Sequence, residues 1–111
     1  MVGKHYIIDF KMTEENIEQT SWKKILLDAT SVGNVTVLNV VDKFFEPMGY
    51  TCLVLLSESH ISVHTFPEKN LVCMDIFTCN MYKESNIEEM VNYIKKNINY
   101  MEYNLYFLER G

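Results

Sequence analysis

The sequence holds little that breaks or staples a chain. Two prolines and four glycines in 111 residues leave no stretch that reads as a linker, so one domain over 1–111 is expected. The cysteines are Cys52, Cys73 and Cys79. An odd number without a CxxC pair points to free thiols, and neither a disulfide framework nor a metal site is expected. No apolar run approaches the roughly 20 residues that span a bilayer. The opening MVGKHYIIDF is interrupted by Asp9 and followed by Lys11, unlike a secretory leader. The expectation is a cytoplasmic chain with no membrane partner. Positive charge is scarce too: 10 Lys and Arg against 15 Asp and Glu give a net −5. The basic residues are scattered from Lys4 to Arg110, whereas a phosphate backbone needs them clustered. Nucleic acid is therefore not an expected partner. A domain this small buries only about two-thirds of its unfolded surface, so a second copy would help it and would supply walls for a pocket.

What is present is a regular alternation of elements. Residues 4–10 read as a strand. A helix is expected over about 14–31, with Thr13 as N-cap, an apolar stripe at Ile17, Trp22, Ile25, Leu26 and Ala29, and Gly33-Asn34 as its stop. Residues 35–42 are β-branched and read as a strand. Residues 51–57 are a continuous apolar run, as in a buried central strand. Residues 60–66 alternate polar and apolar, and 71–79 read as a further strand. Ser85 is expected to cap a second helix over 86–99, with Ile87, Met90, Val91, Ile94 and Ile98 facing the core. Residues 102–108 close the chain as a strand. The order β-α-β-β-β-β-α-β predicts an α+β fold: a two-layer sandwich, mainly antiparallel sheet, with two helices on one face.

Chemistry concentrates between 57 and 79. SESHISVHTFPE sets hydroxyls, two imidazoles and carboxylates between two apolar strands, and Cys79 follows after LVCMDIFT. Those are groups for nucleophilic and acid–base work. There is no GxSxG elbow, and composition alone takes the reading no further than a candidate active-site strand pair.

SESHISVHTFPE followed by MDIFTC resembles the signature of the bacterial and archaeal S-adenosylmethionine decarboxylase proenzymes. GKHYIIDF resembles that family's opening strand, NVTVLNVVDKFFEPMGYTCLVLLSESH its second and third strands, and the terminal ERG its closing strand. The resemblance implies that the chain cuts itself between Glu58 and Ser59 into 1–58 and 59–111, and that Ser59 becomes a pyruvoyl cofactor holding the substrate amine as a Schiff base. It implies that His64 takes the Cα proton during processing, that Thr51 assists where serine is usual, and that Cys79 returns a proton after CO2 leaves. Glu68 is expected on the ribose hydroxyls, and Phe45 and Phe66 on the adenine. The implied substrate is S-adenosylmethionine, whose decarboxylated form donates aminopropyl groups for spermidine. A homodimer is implied, with sites at its interface. Phe66 stands where tryptophan is common, Asn80 where glycine is usual, and Glu46-Pro47-Met48 departs from the common loop. These departures leave open decarboxylation of ornithine or arginine on the same scaffold, and threonine at 51 leaves open an uncleaved regulatory paralogue. On a regular strand Ser59 and His64 point to opposite faces, so the processing role of His64 needs a bend or an approach from beside the strand.

Overall fold

The computed structural model describes residues 2–13, 17–79 and 83–111. Six strands form one sheet: β1 (Gly3–Met12), β2 (Val37–Phe44), β3 (Tyr50–Leu56), β4 (Ser59–Phe66), β5 (Leu71–Cys79) and β6 (Tyr100–Arg110). Two helices, α1 (Trp22–Val32) and α2 (Glu84–Lys96), complete the order expected from sequence. The strands lie in the order β2-β3-β4-β5-β1-β6, and every neighbouring pair is antiparallel.

One face of the sheet carries the core. Ile8, Phe10, Val54, Leu56, Ile61, Val63, Met74 and Ile76 pack with Trp22 and Leu26 of α1 and with Met90 and Ile94 of α2. Each such buried side chain contributes about 1.5–3 kcal/mol of transfer free energy. The helices run close together. A Cβ on Gly33, just after α1, would come within 2.4 Å of the Met90 side chain. That glycine is present for the close approach, because its own φ is −79°. Asn34 takes the left-handed position that ends the helix, at φ 57°.

Three local expectations need correction. α1 starts at Trp22, so Thr13 does not cap it; the cap position belongs to Ser21. Of the stretch expected to be helical, 14–16 lie outside the described residues and 17–20 form turns. The Ile17 carbonyl accepts both the Thr20 N–H and the Trp22 indole N–H. Ile17 is buried from this turn, which is why it fitted the helical stripe. α2 begins at Glu84 after Lys83 in the cap position, so Ser85 lies inside it. Finally, β3 is not buried on both sides. Leu53 and Leu55 point away from the helices and are about half exposed, at 46% and 51%. Val41 is exposed beside Leu53, and Tyr106 and Leu108 of β6, four strands away, are exposed on the same open face of the sheet.

Candidate functional site

Strands β3 and β4 are joined by a two-residue hairpin. Leu56 pairs with Ser59, which leaves Ser57 and Glu58 to turn the chain. Glu58 adopts φ 56°, a left-handed conformation that costs a residue with a Cβ about 1–3 kcal/mol. The strain therefore sits on the residue preceding Ser59. Ser59 is buried on the helix-facing side, and its Oγ accepts the backbone N–H of Cys79 at 2.9 Å. Cys79 ends β5 and is buried, and its thiol lies 3.9 Å from the Ser57 carbonyl oxygen. Glu58, Ser59 and Cys79 thus form one cluster at the hairpin end of β4.

A second cluster forms at the other end. Thr51 and His64 are cross-strand partners, and Thr51 Oγ1 lies 2.9 Å from His64 Nδ1. They border a depression of about 270 Å³ whose walls include Phe45, Met48, Phe66 and Glu68. Glu68 follows Pro67 in a single 3₁₀ turn, Pro67–Lys69, that links β4 to β5. A larger cavity, about 600 Å³, lies beside α1 between Trp22, Leu27, Asp42, Phe44 and Tyr50. It contains none of the site residues that the family resemblance implies.

The two clusters do not meet within one chain. β4 pairs without a register shift on both sides, so the bend that would bring His64 to Ser59 is absent. Five residues of strand separate them by about 16 Å, and their side chains leave opposite faces.

The family motif assigns no role to His5, His60 or Asp75. On the open face, Asp75 accepts a 2.6 Å bond from His5 Nε2 and lies 3.6 Å from His60 Nε2. The Ser62 hydroxyl donates to its other oxygen. Burial alone would raise the Asp75 carboxyl, but the Ser62 and His5 bonds and the charge of His60 outweigh it and hold it below the usual range. Strand parity could have put Ser62 beside His60 and His64, but only the β1–β5 register brings in His5. The other thiols are less acidic than usual. Burial and neighbouring Asp9 push Cys73 up to about 11, and burial raises Cys52.

A two-layer antiparallel fold with hydroxyl and thiol at one end of β4 and imidazole toward the other describes the class, and sequence comparison supplies the family. The model of the S-adenosylmethionine decarboxylase family matches residues 4–111. An S-adenosylmethionine decarboxylase proenzyme 2 of Bacillus cereus is 39% identical over 99 residues, 86% of this chain and 80% of the relative. A proenzyme from Pyrococcus horikoshii is 36% identical over 95 residues, 84% of this chain and 67% of its own. The crystal structure of the adenosylmethionine decarboxylase from Aquifex aeolicus superposes with a TM-score of 0.86 at 28% identity, covering 99% of this chain and 91% of that one. The chain belongs to the S-adenosylmethionine decarboxylase family. Among the described residues, no helix is long and apolar enough to cross a membrane.

Proposed function

We propose that this chain is a proenzyme that cleaves itself at Glu58-Ser59 and then decarboxylates S-adenosylmethionine. The observation that carries this reading is the Ser59 hydroxyl, fixed at 2.9 Å by the Cys79 N–H beside a carbonyl whose own residue is held at positive φ. Ser59 Oγ attacks the Glu58 carbonyl carbon, the C–N bond breaks, and the amide becomes an ester with a free amine. Loss of the Ser59 Cα proton then expels the Glu58 carboxylate. The dehydroalanine that remains takes up one water and releases one ammonia, which leaves a pyruvoyl group on 59–111. A buried hydroxyl at a hairpin with a thiol beside it suits formation of that group.

The base for the Cα proton is His64, and it comes from a second copy. The observation favouring this is that the Ser59 and Thr51–His64 clusters sit at opposite ends and faces of β4. A two-fold axis through the middle of an open sheet sets one end of each copy against the other end of its mate. The exposed Leu53, Leu55, Tyr106 and Leu108 give such a face apolar surface to bury. Each site then takes Glu58, Ser59 and Cys79 from one copy, and Phe45, Thr51, His64, Phe66 and Glu68 from its mate. Thr51 fixes Nδ1, which leaves Nε2 for proton transfer.

Once formed, the pyruvoyl carbonyl supplies the electron sink for loss of CO2. Glu68 accepts hydrogen bonds from the ribose diol, Phe45 and Phe66 stack on the adenine, and Cys79 returns a proton to carbon. Three free thiols suit a reducing compartment such as the cytoplasm. The test is CO2 release from S-adenosylmethionine, ornithine and arginine offered separately. Turnover of the nucleoside substrate alone supports the assignment, and turnover of only an amino acid overturns it.

A further inference from the structure

Among the described residues, one group of three potential metal ligands converges: His5, His60 and Asp75. They come from three adjacent strands, β1, β4 and β5. His60, Phe77 and His5 form one row across the sheet, since His60 and His5 are both partners of Phe77. Both imidazoles lean over the same ring, each with its centroid 5.8 Å from that of Phe77. Asp75 lies two residues along β5, between them. The ligating atoms all lie within 4.8 Å of one another, with His5 Nε2 at 2.6 Å and His60 Nε2 at 3.6 Å from Asp75 Oδ2.

We propose that His5, His60 and Asp75 bind a divalent first-row transition ion, of which zinc is the natural candidate. Ligands about 2.0–2.2 Å from a tetrahedral ion stand about 3.3–3.5 Å apart. The two separations from Asp75 bracket that value and the third lies within 4.8 Å, so side-chain movements of about 1 Å complete the site. In the single chain the His60 side chain is 46% exposed, so before a second copy covers the face it can make the larger move. Three protein ligands leave a fourth position for water. The set of two nitrogens and one oxygen favours zinc, cobalt or nickel over magnesium and calcium, which take oxygen ligands. The Ser62 hydroxyl on the other Asp75 oxygen orients the carboxylate as an outer-sphere partner does. Cysteine spacing gave no hint of this site, because its ligands are 15 to 70 residues apart in sequence. It is separate from Ser59, and binding does not depend on cleavage.

The test is a Co2+ titration of chelator-treated full-length protein, read by visible absorption. Wild type and the uncleavable Ser59→Ala chain should both develop d–d bands that saturate at one equivalent per chain. His60→Ala and Asp75→Asn should each weaken affinity by at least about 100-fold, above the loss typical of outer-sphere changes. His60 is partly exposed, so its truncation leaves the core intact. The inference is overturned if no band develops. It is equally overturned if the band survives in both variants, or if a thiolate-to-cobalt charge-transfer band shows that cysteines hold the ion.

Discussion

The Thr51 hydroxyl stands 2.9 Å from His64 Nδ1 across the β3–β4 ladder, so threonine supplies the oxygen that would orient the imidazole. The added methyl does not displace it. Thr51→Ser should process at a rate within a few-fold of wild type. Thr51→Val keeps the shape and loses the bond. A hydrogen bond of this kind is worth about 1 kcal/mol, so cleavage should slow by about 5- to 10-fold. Timed gel analysis of freshly synthesised chain reads both.

Sharing of the site between two copies can be tested by complementation. Neither Ser59→Ala nor His64→Ala should cleave alone. Co-expressed, they form mixed dimers in which one site has both Ser59 and a partner's His64. The His64→Ala chain should then be cut and the Ser59→Ala chain should not. If neither is cut, the two groups act within one chain and the shared site is wrong.

The open face carries a related prediction. Leu55 is half exposed on it. Leu55→Glu should leave a folded monomer in sedimentation velocity, because no core contact is lost, and processing should fall with assembly. A monomer that processes at the normal rate would contradict the arrangement.

Strain at Glu58 should be measurable where cleavage is blocked. In the Ser59→Ala background, Glu58→Gly removes the Cβ that disfavours φ 56°. Stability in urea should rise by about 1 kcal/mol, the strain relieved less the extra chain entropy of glycine. A fall would show that the turn is unstrained.

Asp75 sets a pH dependence. Its carboxyl is held below the ordinary value of 3.8: burial raises it, and the Ser62 and His5 bonds with His60 outweigh that. A folded value below the unfolded one stabilises the fold above the unfolded pKa. That contribution disappears as pH falls through the lowered folded value. Asp75→Asn should therefore cost about 1–2 kcal/mol at pH 7, with the gap to wild type closing below about pH 4. Urea melts at both pH values check the sign, and an equal gap at each would refute it.

Much of the architecture was legible in the sequence because hydrophobic periodicity and turn residues agreed along the chain. All six strands and both helices occur in the expected order. The start of α1 was not legible, since Ile17 reaches the core from a turn and copies the helical spacing. The apolar run of β3 suggested burial on both faces, whereas Leu53 and Leu55 are about half exposed. Motif resemblance selected Ser59, His64 and Cys79, but spacing could not show that Cys79 reaches Ser59 through its backbone N–H. Nor could it show that Asp75 gathers His5 and His60, since that depends on the register of three strands.

Intact mass spectrometry of the purified chain tests self-cleavage most directly. Wild type should give two fragments, 1–58 ending in a free carboxylate and 59–111 with a blocked start, while Ser59→Ala stays whole at 13.1 kDa. A wild-type chain that stays whole yet releases CO2, or a Ser59→Ala chain that still splits there, would contradict the account.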